Sequence, residues 1–123
     1  MKRIAVVDDE PDITNVVKKG LEQNGFAVDA FIDPEKALSS FKPNYYDLMI
    51  IDIRMPKLNG FDLYRELRKK DGSVRVCFLT AFEIYYEEFR KLFPSIEVRA
   101  FVTKPVTISS LVNLISAKLD VPQ

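Results

Sequence analysis

The sequence contains no histidine. That absence excludes histidine acid–base catalysis, serine–histidine triads and histidine metal sites. Cysteine is nearly absent as well. Cys77 stands alone in the apolar run VRVCFLT, so no intrachain disulfide can form and the chain suits a reducing compartment. Cys77 itself reads as a small buried hydrophobe. There is no charge excess, since lysine plus arginine equals aspartate plus glutamate at 18 each, and no basic run disturbs the balance. Such a chain is a poor direct binder of nucleic acid. Long hydrophobic runs are missing too. The opening MKRIAVVDDE starts basic, but its apolar stretch, 4–7, is shorter than the roughly 7–15 residues of a signal peptide. No segment approaches the roughly 18 apolar residues of a membrane span. The expectation is a soluble, cytoplasmic protein with no membrane contact.

What is present is enough for a core. The 123 residues are 47% hydrophobic and 11% aromatic, which fits a single domain over 1–123 without metal or disulfide support. Five short apolar runs recur at even intervals: 3–7, 27–32, 48–51, 74–79 and 97–102. The first, third and fourth are almost solidly apolar, as strands covered on both faces should be; the second and fifth carry charged or small residues, which predicts edge strands. Helical patterns fill the gaps. Over 11–24, Ile13, Val16, Val17 and Leu21 share a face that includes Gly20, with Pro11 at the start and Gly25 at the stop. Asp33-Pro34 opens a second helix, and Asn59-Gly60 a third that carries Phe61, Tyr64 and Leu67. A fourth is predicted within 82–93 and a fifth over 107–119, with Ile108, Leu111, Val112 and Ile115 at helical spacing. Alternating strands and helices predict right-handed βαβ units, hence a doubly wound parallel α/β sheet with helices on both faces.

In such a sheet, ligands sit beyond the carboxyl ends of the strands. Asp8, Asp9 and Glu10 follow the first strand, Asp52 closes the third, Thr80 the fourth, and Lys104-Pro105 follows the fifth. Taken singly, the first three acids suit a helix N-terminus, Thr80 a strand-end hydroxyl and Lys104 a solvated charge. Asp52 is different. A carboxylate ending a solid apolar strand costs several kcal/mol, on the order of 5, unless something compensates it. Converging carboxylates repel unless a cation lies among them, and oxygen donors without histidine or cysteine favour a hard ion such as Mg²⁺. Mg²⁺ keeps several waters and completes its shell with phosphate, for which a lysine and a hydroxyl are suitable partners. The residues therefore point to Mg²⁺-assisted phosphoryl chemistry with a carboxylate as nucleophile.

The motifs VVDDE, DIRMPKLNG, LTA and TKP, in that order along the whole chain, resemble the receiver domain of two-component response regulators. The resemblance implies a flavodoxin-like fold of five strands and five helices with strand order 2-1-3-4-5. It implies Asp52 as phospho-acceptor, Asp9 as a direct Mg²⁺ ligand, Asp8 acting on the ion through water, and the backbone carbonyl of Arg54 as a further ligand. Thr80 and Phe101 resemble the switch pair, Lys104 the phosphoryl-binding lysine, and the bond before Pro105 a cis peptide. The donor would be a phosphohistidine on a sensor histidine kinase, which fits the missing histidine. The domain would act as a phosphoryl acceptor and not as an enzyme, apart from slow autodephosphorylation. Arg54 and Phe82 stand at the positions that overlook the attacking water. Output would pass through the face formed by the fourth helix, fifth strand and fifth helix, with Tyr85, Tyr86 and Phe89, to a partner protein or output domain. Ser109, Ser110 and Asn113 replace the charges that serve dimer formation in DNA-binding relatives, leaving a monomer or a phosphorylation-dependent dimer. Two other readings compete: the receiver of a longer regulator such as a transcription factor, and an aspartate-nucleophile phosphatase. The second needs an acid two residues after its nucleophile, where this chain has Arg54.

Overall fold

The computed structural model describes residues 2–80, 91, 100–103 and 107–120; for residues 80, 100–103 and 118–120 it describes the backbone only. The chain forms β1 (Arg3–Val7), α1 (Pro11–Gln23), β2 (Ala27–Phe31), α2 (Pro34–Ser39), β3 (Leu48–Asp52), α3 (Gly60–Lys70), β4 (Val76–Thr80), β5 (Ala100–Thr103) and a C-terminal helix (Ile108–Asp120). The strands pair in parallel in the order β2-β1-β3-β4-β5. The two runs that carried charged or small residues are indeed the edges. β4 begins two residues later than expected and includes Thr80, and β3 includes Asp52. β5 extends one residue further than expected, to Thr103, while 97–99 and, except for residue 91, the helix predicted within 82–93 lie outside the described residues.

A solid apolar strand still alternates its side chains, and here each set meets its own layer of helices. Ala5, Val7, Met49, Ile51, Val76 and Phe78 pack with Phe61, Tyr64 and Leu67 of α3 and Ala37 of α2. Ile4, Val6, Leu48, Ile50, Cys77 and Leu79 pack with Val17 and Leu21 of α1 and Leu111 and Ile115 of the C-terminal helix. Residues 48–51 are at most 1% exposed. Fully burying each such side chain contributes about 1.5–3 kcal/mol, so this strand is the anchor of the sheet.

The helix starts follow local chemistry. Asp33 and Asn59 accept hydrogen bonds from the backbone N–H of Glu35 and Asp62, and Thr107 caps the C-terminal helix through Ser110 N–H. α1 corrects one expectation. Val16 is 60% exposed, and the buried stripe runs instead through Thr14, Val17, Gly20 and Leu21. At about 100° per residue, Val16 falls well off that stripe, whereas Thr14 lies on it with its hydroxyl donating to the Pro11 carbonyl.

At the amino end of the sheet, Asp71 ties two loops together. Its carboxylate accepts from Asn44 N–H at 2.9 Å, Ser73 hydroxyl at 2.7 Å and Ser73 N–H at 3.0 Å. Asn44 sits at φ 61°. Partial burial pulls the Asp71 carboxyl up, but the three hydrogen bonds together outweigh it and hold the group below the ordinary 3.8. A depressed carboxyl stabilises the fold above its unfolded value and loses that contribution as pH falls through the folded one. Asp71→Asn is therefore expected to be less stable than wild type at pH 7, by at most about 1 kcal/mol for so exposed a group. Denaturant melts should show the difference shrinking below pH 4.

Candidate functional site

β1 and β3 are neighbours in register, with Val7 beside Ile51. The next residue on each strand path is an aspartate, so pairing alone delivers Asp8 and Asp52 to one rim. Asp8 N–H donates to the Phe31 carbonyl at 3.0 Å, which ties this rim to β2 as well. Asp8 is 0% and Asp52 4% exposed. Asp9 is half-buried and Glu10 exposed. One carboxylate oxygen from each of the four lies within 4.8 Å of the others.

That spacing decides the electrostatics. Two like charges about 5 Å apart repel by roughly 3 kcal/mol at an effective dielectric near 20. A cation among them relieves every pair at once. All donors in the group are hard oxygens, which fits Mg²⁺. The ion takes only one or two carboxylates directly, so the remaining acids of a four-carboxylate cluster would act through water.

Glu10 is the member to which the family resemblance assigned no role. It stands at the N-cap of α1, and its side chain makes no capping bond there. Its N–H donates to Asp8 Oδ1 at 3.0 Å, which draws residue 10 toward the cluster. The only hint in the sequence was a third consecutive acid ahead of Pro11.

The loop after β3 forms the other wall. Ile53 N–H continues the ladder to the Leu79 carbonyl at 3.0 Å, and Gly60 N–H returns to the Ile53 carbonyl at 2.8 Å. Between them the chain makes a tight turn, with Leu58 N–H on the Pro56 carbonyl and Lys57 at φ 70°. Met55 is buried, and Arg54, two residues past Asp52, is exposed.

Asp52 pairs with Leu79, and Thr80, the next residue of β4, pairs with Thr103. Phe101 pairs with Phe78. The backbone thus brings Thr80 to the same rim, although the side chains of Thr80 and Phe101 are outside the described residues. Lys104 and Pro105, with the expected cis bond, lie outside them entirely, as do Phe82, Tyr85, Tyr86 and Phe89. Ser109, Ser110 and Asn113 are exposed on the C-terminal helix. No helix among the described residues is long and apolar enough to cross a membrane.

Residues 4–116 match the family model of the response regulator receiver domain. Among curated proteins, the chain is 32% identical over 117 residues to the transcriptional regulatory protein PrrA of Mycobacterium tuberculosis, covering 95% of this chain and 49% of that one. The chain spans about half the length of the curated relatives it matches. Among solved structures it resembles the non-phosphorylated HemR receiver domain of Leptospira biflexa, with a TM-score of 0.87, 27% identity and coverage of 100% of this chain and 98% of that one. It also resembles the response regulator TrrA of Thermotoga maritima, solved in complex with Mg²⁺ and BeF, with a TM-score of 0.80, 32% identity and coverage of 96% and 99%.

Proposed function

The chain belongs to the response regulator receiver domain family, and from that premise we propose that it is a phosphorylation-controlled switch whose acceptor is Asp52. The observation that carries this reading is the buried Asp52 at the end of β3, within 4.8 Å of Asp8, Asp9 and Glu10. An oxygen of the Asp52 carboxylate attacks the phosphorus of a phosphohistidine on a partner kinase. The new O–P bond forms as the P–N bond breaks, and the departing imidazole takes up a proton. Mg²⁺, held by Asp9 and Asp52 with the Arg54 carbonyl and with Asp8 through water, would supply the positive charge that offsets the equatorial oxygens. Lys104 pairs with the same oxygens, and Thr80 donates its hydroxyl to them, with Phe101 following it inward. The apolar packing of residues 48–51 keeps the nucleophile at the sheet rim.

The domain spans 1–123, acts in the cytoplasm, and supplies a nucleophile and a metal site while the kinase supplies the activated donor. It is not an enzyme in its own right. A second reading, in which this receiver is the input of a longer regulator, draws on the curated relatives, which are transcriptional regulators of which the chain spans about half. The full gene sequence decides between the two. An aspartate-nucleophile phosphatase is disfavoured by Arg54 where the second acid is needed.

Acetyl phosphate tests the reading without a kinase. With Mg²⁺, the protein should gain one phosphoryl group by intact mass, located in the peptide covering 48–62, and chelation of the metal should prevent it. An unmodified protein in Mg²⁺, or equal uptake in chelator, would overturn the proposal.

A further inference from the structure

We infer that Gly60 is a positioning residue for the phospho-acceptor, an inference that rests on the reading of Asp52 given above. A Cβ placed on Gly60 would lie 2.5 Å from the Asp52 carbonyl oxygen, 2.8 Å from Ile53 Cα and 3.1 Å from the Asp52 carbonyl carbon. All three are backbone atoms, so no side-chain rotation relieves the contact. Gly60 N–H also donates to the Ile53 carbonyl at 2.8 Å. The first residue of α3 is thus pressed onto the peptide joining Asp52 to Ile53 and bonded to the next carbonyl.

The consequence reaches the acceptor through the main chain. Asp52 is the last residue of β3, and Ile53 N–H still belongs to the ladder with β4. The peptide between them is held by β4 on one side and by Gly60 on the other. Its orientation bears on where the Asp52 side chain begins and, through the Ile53 carbonyl that Gly60 holds, on where the Arg54 carbonyl one residue further on is presented. α3 is itself fixed, with Asn59 accepting from Asp62 N–H and with Phe61, Leu63 and Tyr64 buried. A methyl group on residue 60 must therefore displace the Asp52–Ile53 peptide, the start of α3 or both, and because Gly60 N–H is bonded to the Ile53 carbonyl either shift disturbs the backbone that presents Asp52. A misplacement of roughly 1 Å in a reacting group can lower a rate by about 100-fold.

Gly20 provides a control of matched size. The three nearest atoms to a Cβ there all belong to the Ile108 side chain, the closest being Cγ1 at 2.6 Å, and none belongs to the acidic rim. Gly60→Ala and Gly20→Ala should be compared with wild type in saturating Mg²⁺, at a temperature where all three are folded. Gly60→Ala is expected to be phosphorylated by acetyl phosphate about 10- to 100-fold more slowly, and Gly20→Ala to stay within about twofold of wild type, because a stability loss alone leaves the rate of the folded protein unchanged. If Gly60→Ala reacts at the rate of Gly20→Ala, the inference is wrong. Amide exchange in the wild type tests it without any variant. The Gly60 N–H should exchange at least about 100-fold more slowly than an unprotected amide, and exchange at the unprotected rate would overturn the clamp. A wild type that takes no phosphoryl group at all would instead strike at the function of Asp52.

Discussion

Asp52→Asn is expected to take up no phosphoryl group from acetyl phosphate in Mg²⁺, and in chelator to be more stable than the wild type. The first outcome follows from chemistry. An amide oxygen is a poor nucleophile and carries no charge for a cation, so both the O–P bond and one metal ligand are lost. The second follows from geometry. Four carboxylates share a space within 4.8 Å, and Asp52 is one of the two buried ones. Removing one charge relieves its repulsion with each of the other three, which should raise the unfolding free energy by about 1–3 kcal/mol when no cation is present. Mg²⁺ should then narrow or reverse the gap, because only a protein that binds the ion gains RT ln(1 + [L]/Kd). Urea melts of both proteins in chelator and in Mg²⁺ give all four values. Equal phosphoryl uptake by the two proteins would show that the acceptor lies elsewhere. A variant less stable than wild type in chelator would show that the contacts the protein makes to Asp52 outweigh its repulsion with Asp8, Asp9 and Glu10.

The acidic rim was legible because its residues follow strand ends, and strand ends were legible because buried parallel strands are solidly apolar. The run 48–51 marks β3, and Asp52 breaks it at the rim. Edge placement of β2 and β5 was legible for the same reason, since Asp29 and its neighbours interrupt an apolar run that pairs on one side only. Periodicity misled at Val16, because an apolar residue at i+3 looks equivalent to one at i+4 until the neighbours of Thr14 and Val17 fix the stripe. That Glu10 joins the cluster without capping α1, and that Gly60 approaches β3 so closely, were not legible. Each depends on where a loop crosses another strand, and no local pattern encodes that distance. The dipeptide Asn59-Gly60 reads as a helix start. That the glycine also lies against the Asp52 carbonyl is a property of the folded chain alone.

Phe78→Ala is expected to lower stability by about 3–5 kcal/mol, the range for deleting a buried phenylalanine ring. Phe78 is 0% exposed and lies at the meeting point of three elements. It stands beside Ile51 in the β3–β4 pair. Its ring takes an edge-to-face contact from Phe61 at 5.2 Å and 87°, and another from Tyr64 at 5.8 Å and 85°. Phe61 directly follows Gly60 and Tyr64 begins the next turn of α3, so Phe78 is what the start of α3 grips on the sheet. Set against a typical total of about 5–15 kcal/mol, the loss leaves a marginal protein. Phe78→Leu keeps most of the volume and should cost less than about 1.5 kcal/mol. The two variants also separate stability from positioning. Gly60 meets the backbone of Asp52 and Ile53, and a leucine at 78 still supports α3, so folded Phe78→Leu should accept a phosphoryl group within a few-fold of the wild-type rate. Urea melts and acetyl phosphate labelling read the two quantities independently. A cost below about 1 kcal/mol for Phe78→Ala would mean that the cavity collapses and that the aromatic trio is not the joint between α3 and the sheet. A large rate loss in Phe78→Leu would mean that the position of Asp52 depends on the core beneath it as much as on the contact at residue 60.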